Sequence, residues 1–125
     1  MSKACDMTWD GSCLVAKLSG EVDHHRTEEL RQSLDEAVAQ GASGGRTVDL
    51  IFDFTGVTFM DSSGIGVVMG RYNKIHEGGG TVYVTGCDPY VDRILELSGI
   101  YLITRRRNTV GEALAECRGR TEERR

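Results

Sequence analysis

No stretch of this chain stays apolar for the ~20 residues that a membrane-crossing helix needs. Its first residues, Met1-Ser2-Lys3-Ala4-Cys5-Asp6, hold no hydrophobic signal region. The expectation is therefore a cytoplasmic protein with no membrane partner. The four cysteines, at 5, 13, 87 and 117, include no Cys-x-x-Cys pair, which argues against a zinc knuckle or a dithiol redox centre. Scattered free thiols suit a reducing compartment. Neither sign of charge dominates: 15 Lys and Arg stand against 19 Asp and Glu, a net −4 that excludes the basic footprint of a direct nucleic-acid binder. There is no internal repeat, and proline occurs once, at Pro89. With 125 residues the chain makes one domain, large enough to bury about two thirds of its unfolded surface.

What is present centres on Phe59–His76. The apolar run Val48–Phe54 leads toward a polar step, Asp61-Ser62-Ser63-Gly64. Beyond the step Ile65, Val68, Met69, Tyr72 and Ile75 recur every three or four residues, as on one face of a helix. Ser and Asp ahead of such a pattern supply side-chain oxygens for the amides that a first helical turn leaves unpaired. The step follows the carboxyl end of a strand, where open α/β sheets place their working groups. Two hydroxyls, Ser62 and Ser63, are thus offered at a positive helix terminus.

The remaining elements fall around this centre. Met7–Trp9 and Cys13–Ser19 flank Asp10-Gly11 and read as a hairpin. Gly20–His25 reads as a loop, and Arg26–Gln40 as a helix with Leu30, Leu34, Ala37 and Val38 on its inner stripe. In the Thr47–Phe54 strand, Val48, Leu50, Phe52 and Phe54 share one face. The aspartates around Ile51 suggest that the other face is only partly covered. Thr81–Thr85 gives a strand, and Pro89 opens a helix with Val91, Ile94 and Leu95 inward, closed by Ser98-Gly99. Ile100–Thr104 reads as a short last strand and Arg105-Arg106-Arg107 as a solvated loop. Val110, Ala113, Leu114 and Cys117 line a final helix, and residues 118–125 form a charged, disordered tail. The order β-β-α-β-α-β-α-β-α predicts an α/β fold: a mixed β-sheet with four α-helices, whose later strands run parallel through right-handed crossovers.

Ser62 could be a helix cap, a phosphoacceptor, or both. A serine-hydrolase elbow, Gly-x-Ser-x-Gly, would need glycine where Met60 stands. His76 lies fourteen residues along the same helix, roughly 21 Å away, so only His24 or His25 could serve as a base. Those two histidines are neighbours in sequence with no third and fourth ligand at metal spacing, so no metal and no cofactor is expected. Gly78-Gly79-Gly80 lacks the lysine and hydroxyl of a phosphate-binding loop and reads as a turn.

Met60-Asp61-Ser62-Ser63-Gly64-Ile65-Gly66 resembles the signature of STAS-domain anti-sigma-factor antagonists. Gly20-Glu21-Val22-Asp23-His24-His25, Gly70-Arg71-Tyr72, Gly79-Gly80 and Leu97-Ser98-Gly99 keep the spacing of that family, in the type that controls sigma F in sporulation. The resemblance spans Met7 to Cys117 and implies a STAS fold over residues 5–117. It also implies a non-enzymatic partner switch. In that switch the unphosphorylated protein binds an anti-sigma factor with serine kinase activity, releasing the sigma factor. The kinase then uses ATP and magnesium to phosphorylate Ser62, and a serine phosphatase restores the binding form. Carried over residue by residue, the partner-binding set is Glu21, Asp23, His24, Asp61, Ser62, Ser63 and Gly64. A small-ligand or nucleotide-binding regulatory domain of the same kind is the alternative reading.

Overall fold

The computed structural model describes residues 5–123. Strands β1 (Cys5–Asp10) and β2 (Cys13–Val22) form an antiparallel hairpin, with Asp10 opposite Cys13 and Gly11-Ser12 as its two-residue loop. Helix α1 (Thr27–Gly41) leads to β3 (Asp49–Met60), then α2 (Ser62–Glu77), β4 (Val82–Thr85) and α3 (Pro89–Leu97). A short edge strand, β5 (Arg105–Arg107), and helix α4 (Val110–Glu123) complete the fold. The five strands lie in chain order, β1-β2-β3-β4-β5, and every pair after the hairpin is parallel. This is the expected mixed sheet with four helices.

Both faces of the sheet are covered. On one, Leu14, Ala16, Leu18, Leu50, Phe52 and Phe54 meet Leu30 and Leu34 of α1, Val67, Val68 and Ile75 of α2, and Val91 and Leu95 of α3. Full burial of each such side chain stabilises the fold by about 1.5–3 kcal/mol. On the other face α4 lays Ala113 and Cys117 over Cys13, Ile51 and Tyr83. This corrects the expectation of a partly covered face. Ile51 is fully buried, and so is the neighbouring Asp49, whose carboxylate accepts from the Thr81 amide at 2.8 Å and the Cys117 thiol at 3.2 Å. All four cysteines are free thiols, and burial raises Cys5 to about 12 and Cys87 to about 11.

Three further expectations change. Ile100–Leu102 forms a 3-10 turn rather than a strand, and β5 is the arginine triplet that reads as a loop in the sequence. The turn drops Ile100 into the core while leaving Leu102 90 % exposed, and Arg105 and Arg107 both reach Glu116 of α4. The expected disordered tail is helical as far as Glu123: α4 continues six residues past Cys117, with Arg118 paired to Asp10 across the hairpin.

The length of β3 positions the functional edge. Its pairing with β4 ends at Asp53–Thr85, whereas its pairing with β2 continues to Met60–Val22. Residues 54–60 therefore run beyond β4 as a two-stranded ribbon with β2, whose register shifts after Lys17 and Gly20. At its tip the chain passes directly into α2.

Candidate functional site

At that tip Asp61 is the N-cap of α2. Its backbone is extended, and its carboxylate accepts the Ser63 amide at 2.9 Å. The same oxygen takes the Ser63 hydroxyl, while the other accepts the His24 amide at 3.3 Å. The Ser63 hydroxyl, followed by the Ser63, Gly64 and His24 amides, outweighs a smaller opposing effect of burial and lowers the Asp61 carboxyl from its ordinary range. Asp61 therefore clamps the start of α2 to the loop that follows β2.

That loop is shaped by its own short contacts. Asp23 accepts from the His25 amide at 3.0 Å, and its carbonyl accepts from Arg26 N–H, closing a turn into α1. Arg26 Nη1 donates to the carbonyls of Ser19 and Glu21 at 3.1 and 3.0 Å. Gly20 has φ +76°, an angle that favours glycine, and a Cβ there would lie 2.8 Å from that guanidinium, which would have to shift. His24 Nδ1 is 3.8 Å from Asp61, and its ring lies 4.0 Å from that of His25. Gly64 fits for a second reason: a Cβ would meet Met60 Cγ at 2.7 Å and Val22 Cγ1 and carbonyl oxygen at 3.1 Å.

Ser62 stands apart from these contacts. It is the first residue of α2, exposed, and its hydroxyl takes part in none of the hydrogen bonds among the described residues. The cap that sequence alone could assign to Ser62 belongs to Asp61, because only the residue with extended backbone can turn its oxygen toward the first free amides. The polar chain runs His24–Asp61–Ser63, with the carboxylate in the middle, so no described histidine bonds Ser62. Among the described residues no group of three or more His, Cys, Asp and Glu is placed to hold a metal ion.

Of the seven partner-binding candidates, Asp23, His24, Asp61, Ser62, Ser63 and Gly64 gather at one end of the sheet. Glu21 joins them from β2, paired in register with Phe59. Sequence reasoning missed Tyr90. At the first turn of α3 it is 51 % exposed and stacks on Phe59, itself 38 % exposed, with ring centroids 6.5 Å apart. Its one signal was an aromatic residue outside the Val91–Ile94–Leu95 stripe.

The fold, two-faced sheet and capped serine step define a STAS domain. The STAS family model matches residues 4–113, and the chain belongs to that family. Among its relatives is the anti-sigma F factor antagonist of Paenibacillus polymyxa, 35 % identical over 103 residues, 82 % of this chain and 85 % of the relative. Its structure is similar to that of the anti-sigma factor antagonist SpoIIAA in the unphosphorylated form, with TM-score 0.79 and 32 % identity over 93 % of this chain and 97 % of that one. The phosphorylated form of the Bacillus cell fate determinant SpoIIAA also matches, with TM-score 0.70 and 30 % identity over 90 % and 98 % of the two chains. No described helix is long and apolar enough to cross a membrane.

Proposed function

We propose that this protein is an anti-sigma-factor antagonist that binds an anti-sigma factor through the edge carrying Ser62 and is released by phosphorylation of Ser62. The observation that carries this reading is the difference between two adjacent serines. The Ser63 hydroxyl is tied to Asp61, whereas the Ser62 hydroxyl is exposed and unengaged. A kinase can take Ser62 without breaking any contact of the fold. The kinase is the anti-sigma partner itself, using ATP, and a serine phosphatase reverses the step.

The energetics favour a switch made of charge. A phosphate adds about −1.5 to −2 charge next to Asp61. Within this protein it sits at the first residue of a sixteen-residue helix, where free amides and the helix dipole favour an anion. In an interface the same group has to lose water against the partner. An uncompensated cost of about 3 kcal/mol weakens binding roughly a hundredfold. The fold itself need not change.

The test is incubation with the purified anti-sigma kinase and ATP, followed by mass spectrometric mapping. One phosphate on Ser62 and loss of the complex are expected, and Ser62→Ala should hold the kinase in a complex that ATP cannot clear. A phosphate on Ser63 or Thr58 would overturn the assignment.

A further inference from the structure

Far from Ser62, at the other end of α2, a cleft of about 300 Å³ opens at the amino end of β4. That volume is at the lower bound of small-molecule sites. Ser62 and His76, fourteen residues apart on α2, set the two places roughly 21 Å apart along the helix axis. We propose that this cleft binds a small planar aromatic anion, an aryl phosphate or aryl carboxylate, with its ring against Tyr72 and His76 and its charge on Arg105 and Arg120.

The ring wall is already built. Tyr72 and His76, one helical turn apart, lie with centroids 5.2 Å apart and planes only 15° from parallel, and both line the cleft. A flat ligand can extend such a stack in the offset geometry that aromatic pairs prefer.

The charge is built as well, and it is unbalanced. Arg105 and Arg120 enter the cleft from β5 and α4. Glu116 is the carboxylate beside them, and it already accepts from Arg105 at 3.1 Å and from Arg107 through two nitrogens. Burial pushes the Glu116 carboxyl up, but these arginines and the Tyr83 hydroxyl together hold it below the ordinary range. Arg120 has no ion pair among the described residues, and its Nε is shut off from solvent with no acceptor. A guanidinium nitrogen withdrawn from water and left without an acceptor is costly. A ligand oxygen would relieve that cost and could be held by both arginines in the planar geometry they favour.

One feature opposes an anion here, the negative end of the α2 dipole. Three of its last four carbonyls are already occupied. The Gly78 and Gly79 amides donate to Lys74 and His76, and the Gly80 amide donates to Ile75. The cleft therefore presents capped carbonyls on one side and excess cations on the other.

The site can be tested without any partner, so its failure would leave the reading of Ser62 untouched. The ¹H–¹⁵N spectrum of the intact protein is titrated with phenyl phosphate, and separately with inorganic phosphate and benzyl alcohol. Phenyl phosphate should shift the amides of Tyr72, His76 and 79–81 saturably, and each half-ligand should bind at least about tenfold more weakly. Arg120→Gln should weaken phenyl phosphate at least about tenfold, as expected for the loss of a charge-assisted hydrogen bond, while Arg118→Gln binds like wild type. Tyr72→Leu should weaken the aryl probe and leave inorganic phosphate unchanged. Should Tyr72→Leu fail to fold, Arg120→Gln decides the matter alone. Equal binding of inorganic phosphate and phenyl phosphate, no saturable shift at these amides, or unchanged affinity in Arg120→Gln would each overturn the proposal.

Discussion

Replacing Asp61 with alanine should destabilise the protein far more than replacing Ser62, although either residue could cap a helix on sequence alone. The Asp61 carboxylate serves the Ser63 amide, the Ser63 hydroxyl and the His24 amide. Its loss leaves these three donors to water, which can reach them because Asp61 keeps 30 % of its side-chain surface exposed. The cost therefore stays on the scale of a lost cap, about 1–2 kcal/mol, rather than three separate buried penalties. For a domain of this size that is about 4–8 °C in Tm. Ser62→Ala removes a hydroxyl that bonds nothing and should move stability by less than about 0.5 kcal/mol. Both values come from urea and thermal unfolding followed by circular dichroism, with the urea slope unchanged across the series. If Ser62→Ala loses as much as Asp61→Ala, the serine hydroxyl is part of the cap and cannot be modified without disturbing the fold.

Gly64→Ala should cost about 1–3 kcal/mol because its Cβ would strike Met60 and Val22, whereas Gly66→Ala, with nothing within 4 Å, should gain about 0.5–1 kcal/mol. A denaturant midpoint that falls for both would show that α2 cannot take alanine for reasons other than packing. Acid unfolding should isolate Asp61: its native carboxyl is held below the ordinary 3.8, so its contribution is full above that value and drains away as pH falls through the native one. The stability gap between wild type and Asp61→Asn should accordingly be constant from neutral pH to about pH 5 and narrow below about pH 4, and a gap that widens in acid would reverse the sign. Tyr90→Ala should leave stability within about 0.5 kcal/mol yet weaken binding of the anti-sigma factor at least about tenfold by calorimetry, as an exposed aromatic anchor would. Unchanged affinity would place the interface elsewhere.

Much of the fold was legible because its patterns are strong. The stripe of α1, the proline opening of α3 and the alternation around Phe52 each match a single period, and the helices formed where their patterns lie, while β3 runs on past the expected Phe54 to Met60. What misled was tertiary. Ile100–Ile103 is apolar enough for a strand, but a short apolar run does not distinguish a strand from a plug, and Ile100 is used as a plug. The arginine triplet pairs as β5 because Glu116 and Asp92 meet its charges, partners that lie 9 to 14 residues away in sequence. The serine step was legible as a place, yet the division of labour between Asp61, Ser62 and Ser63 was not. It depends on the backbone angles at the end of β3, and the residue types permit more than one arrangement.

The idle hydroxyl of Ser62 also bears on how such a molecule carries information. If Ser62 is the residue marked, as proposed above, no contact of the fold has to break, and the record would lie in a covalent ester rather than in a conformation. Thermal motion cannot erase it, because a phosphate ester does not relax as a strained loop or a displaced helix does. The proposed switch calls on no two-state element, so it would place no threshold inside the molecule. A population of copies would then hold the recent balance of kinase and phosphatase as a simple fraction, one bit per molecule. Any sharpness in the response would belong to the competing enzymes and to copy number.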